Sequence, residues 1–233
     1  MRRVSTILLI LIILSVGSPA MAVTIQLIQA DDQTAIDNWI SGLGGDVTVL
    51  ENFESITAGW YQNLTTDLGT FTAGGDIGVG ETSYNANHAV PSESPFFEIR
   101  ESAWYGRGNT TSGGKTYLDS ADITEITLQL DVLVTNLFFY LQDPSDVQAT
   151  TTVDSEGYSQ SFPTGLNNGT LWFVGISSDD FLDTISWTTS NQKDGYGLDD
   201  FSTVATVPEP ATMLLLGTGL LGLVAVSRKM FKQ

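Results

Sequence analysis

No cysteine occurs in the 233 residues, and there is a single histidine, His88. The first absence removes disulfides, thiol nucleophiles and every cysteine-ligated zinc site. The second leaves no means to build a His-rich metal centre, and no H-E-x-x-H, G-x-S-x-G or P-loop pattern is present. Positive charge is scarce as well: 9 Lys and Arg stand against 27 Asp and Glu, for a formal net charge of −18. Arg2, Arg3, Arg228, Lys229 and Lys232 lie at the two ends, so Arg100, Arg107, Lys115 and Lys193 alone serve the middle. Every acid except Glu209 also falls in that middle. Such a field repels nucleic acid and anionic lipid, and favours cations and solubility. No internal repeat is visible.

Long apolar runs occur only at the ends. Arg2 and Arg3 precede an unbroken apolar stretch at 7–14, and Gly17, Ser18 and Pro19 break it before Ala20-Met21-Ala22. This is the layout of a signal peptide over 1–22, with Ala20 and Ala22 framing the cleavage site and Val23 as the mature start. At the other end, Val207-Pro208-Glu209-Pro210 cannot continue a helix or a strand ladder and forms a rigid, extended grip. An uncharged stretch at 211–226 follows, about 24 Å long as a helix against a hydrocarbon core of about 30 Å. Arg228, Lys229 and Lys232 in the basic tail 227–233 act as a stop-transfer signal that keeps this end cytoplasmic. The alternative is an ordinary tail anchor. The order proline-glutamate-proline, short apolar helix, basic tail closely resembles the PEP-CTERM sorting signal. That resemblance implies recognition and processing by the membrane enzyme exosortase, in bacteria that make exopolysaccharide. The expected route is a membrane-anchored precursor, then the cell envelope, cell surface or extracellular matrix.

Residues 23–205 remain as one domain, with 206–233 as the sorting signal. Ile126, Leu128, Leu130, Val132 and Val134 alternate with mostly polar neighbours, predicting a half-buried strand over 126–135. Runs at 137–141 and 171–176 read as near-continuous apolar strands. Shorter strands are expected at 148–153, 158–162, 184–187 and 198–201, with a turn at 154–157. Ala35, Ile36, Trp39 and Ile40 behind Asp32 predict one short helix, and 47–54 reads as the first strand. Residues 70–80 and 106–114 read as glycine-rich loops or hairpins. The fold class expected is all-β, an antiparallel jelly-roll-like β-sandwich between the signal helix and a C-terminal transmembrane sorting helix.

An early strand carries Glu51-Asn52-Phe53-Glu54, and the last carries Asp194-Gly195-Tyr196-Gly197-Leu198-Asp199-Asp200-Phe201. This resembles the jelly-roll domains of carbohydrate-binding modules, whose first and last strands lie adjacent and share a structural calcium. The resemblance implies Glu54 and Asp199 as ligands of one calcium ion, with Asn52 or Asp200 next, because calcium takes hard oxygen donors. The competing reading is that these acids are solvated strand ends. Trp60-Tyr61 and Trp104-Tyr105 fall in loop-like stretches where flat aromatic faces suit a sugar ring, whereas Trp172 and Trp187 read as core. No catalytic residue is assigned. The function expected is a noncatalytic surface or biofilm-matrix protein with a binding or structural role, holding exopolysaccharide or a neighbouring surface molecule. The alternative is a secreted carbohydrate-active enzyme, a glycoside hydrolase or lyase working through an acid pair.

Overall fold

In a computed structural model, which describes residues 22–77 and 94–205, the alternating segments become strands of two antiparallel sheets. The larger sheet runs β1 (Thr24–Gln29), β12 (Leu171–Ser177), β9 (Asn136–Gln142), β14 (Gly197–Val204), β7 (Tyr117–Asp119), β6 (Phe97–Arg100) and β3 (Gly59–Tyr61), with β2 (Val47–Glu51) also paired to β14. The smaller runs β11 (Tyr158–Ser161), β10 (Thr151–Ser155), β13 (Thr184–Thr189), β8 (Glu125–Leu130), β5 (Gly69–Gly74) and β4 (Asn63–Thr65).

Period-two alternation sends one set of side chains from each sheet into a common core. Leu137, Phe139 and Leu141 of β9, Val174 and Ile176 of β12 and Phe201 of β14 meet Phe71, Ile126, Leu128, Ile185 and Trp187 of the smaller sheet in one buried cluster. Full burial of each such side chain is worth about 1.5–3 kcal/mol.

The other face of the larger sheet is covered by the helix α1 (Gln33–Gly42). Asp32 caps it by accepting a hydrogen bond from the Ala35 N–H at 3.0 Å. Its Trp39 packs edge-on against Phe138 and Phe173, with ring centroids 5.9 and 5.4 Å away. Gly175 makes room for that indole: a Cβ there would sit 2.6 Å from the Trp39 ring. Burial on both faces explains why 171–176 reads as continuously apolar.

Several boundaries differ from expectation. A strand precedes 47–54: β1 pairs along its whole length with β12, although its own residues are only partly buried. The strand expected over 126–135 stops at Leu130, and Leu133, the residue that broke the alternation, is 79 % exposed. The one expected from Gln148 starts at Thr151, because Gln148 has a left-handed backbone (φ 53°) that suits a turn. The start of the stretch 70–80, read as a glycine-rich loop or hairpin, belongs to β5, which pairs with β4 as a hairpin; its first residue, Gly69, lies against the Gln129 carbonyl, where a Cβ would come within 2.1 Å. The hairpin at 154–157 forms as expected, with Glu156 and Gly157 both at positive φ.

Among the described residues no helix is long and apolar enough to cross a membrane. The segments read as signal peptide, His88 and the tail from 206 onward lie outside the described residues, apart from Ala22, which is exposed.

Candidate functional site

The strand β14 changes partner part-way along. Gly197 and Leu198 pair with β7, whereas Phe201 to Val204 pair with β2, and the register against β9 shifts between Asp199 and Ser202. An irregularity of this kind re-aims side chains at a sheet rim. Asp200 takes φ 56° there, and both acids turn onto the loop 109–116.

Asp199 Oδ2 accepts hydrogen bonds from Thr110 N at 2.7 Å, Thr110 Oγ1 at 3.0 Å and Thr111 N at 3.2 Å, while its Oδ1 accepts from Asp200 N at 2.9 Å. Asp200 accepts from Thr111 Oγ1 at 2.5 Å and Thr110 Oγ1 at 2.9 Å. Glu54 Oε1 holds the other end of the same loop, accepting from Lys115 N at 2.7 Å, Thr116 N at 2.9 Å and Asn109 Nδ2 at 3.1 Å. Asn52 Oδ1 accepts from the Glu54 N–H at 3.3 Å. Of the four residues expected to share calcium, Glu54, Asp199 and Asp200 are therefore brought to one loop and accept from its N–H and O–H donors, whereas Asn52 accepts from Glu54. An ion placed here would have to displace those donors, and Asp199 in particular has both oxygens engaged. Among the described residues no three acidic or imidazole side chains converge closely enough to hold a metal by themselves.

Burial pushes the Asp199 carboxyl up to about 7, against the pull of the Thr110 N–H. Burial also works to raise Glu54, but the N–H donors of Thr116 and Lys115 outweigh it and hold Glu54 below its ordinary value.

A second group of acids surrounds Arg107, and the sequence reading missed it. Arg107 Nη1 lies 3.1 Å from both Asp119 Oδ1 and Asp122 Oδ1, with all three residues buried. The guanidinium passes directly over Gly195, where a Cβ would be 1.5 Å from Nη1, so glycine alone fits that position. Asp143, Asp146 and Asp194 complete the group, Asp143 accepting from Gly169 N at 2.6 Å. Burial is the main cause that raises Asp143, to about 7, and it also raises Asp122. Burial likewise raises Asp194, with the neighbouring Asp146 adding to the effect. The available signal was the shortage of cations: with four basic side chains among so many acids, a buried arginine gathers carboxylates.

The aromatic residues occupy the β3–β6 edge of the larger sheet. Trp60 stands opposite Glu98, and Tyr61 opposite Phe97. The Tyr61 ring stacks on Phe97 at 6.3 Å and its hydroxyl donates to the Thr57 carbonyl, so Tyr61 serves packing. On the opposite face, Glu98 Oε2 accepts from Arg100 Nη1 at 2.7 Å, and the Arg100 guanidinium lies 4.5 Å from the centroid of Trp104. Tyr105 meets Trp104 edge-on at 5.0 Å and is 52 % exposed. Trp60 and Trp104 are half-buried, whereas Trp172 and Trp187 are in the core as expected.

A shallow polar depression of about 390 Å³ is lined by Asp76, Thr124, Thr189, Asn191 and Lys193 among others, with Asp76 its one carboxylate among the described residues.

No curated protein is similar to this chain. Among solved structures, it is similar to the enzymatically active domain of tailspike protein 4 of bacteriophage CBA120, at 13 % identity and a TM-score of 0.23. The match covers 66 % of this chain and 20 % of that one, so the chain spans about a fifth of the tailspike's length. At that TM-score the likeness carries no argument. Residues 206–229 match the family described as the PEP-CTERM protein-sorting motif, so the chain carries that sorting signal at the place where its prolines and basic residues pointed to it.

Proposed function

We propose that this chain is an exported surface or matrix protein, handed to exosortase through its C-terminal signal, which holds exopolysaccharide without catalysing chemistry on it. The PEP-CTERM match at 206–229 carries the reading. The shared core of two antiparallel sheets supports the jelly-roll-like sandwich. The β3–β6 edge supports sugar contact, because Trp60, Trp104 and Tyr105 offer flat apolar faces beside polar groups at a sheet rim.

Sorting is tested by changing both prolines of the signal. P208A with P210A is expected to leave a full-length, membrane-retained form, whereas the wild-type chain reaches the surface without residues 228–233. Mass spectrometry finding that tail intact on surface-located wild-type protein would refute exosortase processing.

Sugar holding is tested with the exported protein on immobilised exopolysaccharide from the producing strain. Substituting Trp60 and Trp104 by alanine is expected to weaken retention at least tenfold, a loss of about 1.4 kcal/mol. Unchanged retention would clear the edge of that role. Release of reducing ends by the wild-type protein, abolished by one Asp or Glu substitution, would turn the reading to the carbohydrate-active enzyme.

A further inference from the structure

Asp194 is 1 % exposed, and neither of its carboxylate oxygens accepts a hydrogen bond. A buried, ionised carboxylate with no donor is among the most costly states a side chain can occupy. The groups that bear on it make matters worse, since they are the carboxyls of Asp146 and Asp143, relieved only by a Val147 N–H that makes no well-formed hydrogen bond. Asp146 and Asp194 face one another acceptor to acceptor. Asp146 bears in turn on Asp122 and Asp143.

Arg107 cannot neutralise this group. Asp119 and Asp122, both at 3.1 Å, already outnumber its single charge. Arg100 is committed to Glu98 at 2.7 Å and lies 3.9 Å from Asp119. The fold thus gathers three further carboxylates, two of them buried, and among the described residues Arg107, already shared by Asp119 and Asp122, is the cation that bears on Asp143.

We infer that Asp146 and Asp194, with Asp143 beside them, hold a divalent cation, and that calcium is the ion whose chemistry fits. The donors are all hard oxygens, with no imidazole or thiolate among them. Three side chains do not close around one point, so backbone carbonyls and water complete the shell. Calcium, with six to eight flexible ligands, accepts such a mixture. Asp146 is half-buried and gives the ion a path from solvent. A protein outside the cell meets calcium at concentrations where even a weak extracellular site fills. The ion lies apart from Glu54 and Asp199, whose oxygens are taken up by the loop 109–116.

The test uses the purified full chain in detergent, with calcium chloride alone as the probe. Titration calorimetry is expected to find one ion bound, and the melting temperature to rise by about 5 °C or more between EDTA and saturating calcium. D194N and D146N should each weaken binding at least tenfold, while D199N binds like wild type. D194N should also melt above wild type in EDTA, because it removes repulsion that no ion then offsets. A carboxylate that merely props the fold would instead lower the melting temperature in both conditions. If D194N does not fold, the half-buried D146N carries the same reading. Absence of binding at millimolar calcium overturns the inference, as does binding that survives both D146N and D194N or is lost in D199N alone.

Discussion

Replacing Phe201 by alanine is expected to cost about 3–5 kcal/mol, at the upper end of that range, and to lower the denaturant midpoint without changing the slope. The residue is fully buried on β14, at the junction of the two sheets. Its ring stacks on Phe139 at 4.8 Å and meets Phe71 at 5.5 Å, Trp187 at 5.9 Å and Phe53 at 6.0 Å, each of those three edge-on. Phe71 and Trp187 belong to the smaller sheet and Phe139 to the larger, so one side chain ties the two together. Pairs of this kind are worth about 0.5–1.5 kcal/mol each beyond the area they bury. The cavity left by alanine could not close, because its walls are strands fixed by their ladders. A domain of ordinary stability has about 5–15 kcal/mol in hand, so a loss of about 5 kcal/mol removes from about a third to all of it. Phe181, 52 % exposed, provides the control, and its alanine variant should stay within about 0.5 kcal/mol of wild type. Equal midpoints for the two variants would mean that the sheets do not depend on this aromatic cluster.

Phe139 and Trp187 of the aromatic core were legible because they lie in a continuous apolar run and in a segment of clear period two, whereas Phe71 was not, because the glycines around it read as a loop or hairpin. The helix was equally plain, since Asp32, Ile36 and Trp39 combine a cap with a helical spacing. β1 was not, because its alternation lasts only from Thr24 to Leu27 before Ile28 breaks it, and Ile25 and Leu27 pack against the core while only partly buried. The segments that carry Glu54 and Asp199 were expected to lie side by side, and β2 does pair with β14. Their partner, the loop 109–116, could not be foreseen, because the hydrogen bonds that fix it run between residues 55 to 90 positions apart in the chain. The acids around Arg107 were hidden for the same reason. Asp119 ends β7, while Asp143 and Asp194 sit in separate turns, each an ordinary strand-end or loop acid by its local sequence. Only the topology, which sets β7, β9 and β14 side by side, brings these turns to one end of the sheet.

In the presence of EDTA, the protein is expected to be more stable at pH 5 than at pH 8. Asp199 and Asp143 each have a carboxyl raised by burial to about 7, against an ordinary value of 3.8. The folded state therefore binds protons that the unfolded state has already released between about pH 4 and 7. Stability must fall as pH rises through that window, and the loss is complete above the folded values. A shift of this size corresponds to at most about 4 kcal/mol for each carboxyl, since one unit is worth about 1.36 kcal/mol. Glu54 has the opposite sign: its lowered value contributes stability above its ordinary 4.5 that is lost as pH falls further. The maximum should accordingly lie near pH 5, where Asp143 and Asp199 are protonated in the folded state and Glu54 is still ionised. General repulsion in so acidic a chain also grows with pH, so the slope of the wild-type protein alone does not isolate these groups. The D199N variant does. It keeps an oxygen to accept the Thr110 and Thr111 N–H groups but has no proton to lose, and its urea-unfolding free energy should fall less between pH 5 and 8 than that of wild type. Parallel profiles for the two proteins would show that Asp199 is ionised in the folded state throughout this range. The hydrogen bonds of the loop 109–116 would then be strong enough to outweigh the burial of its charge.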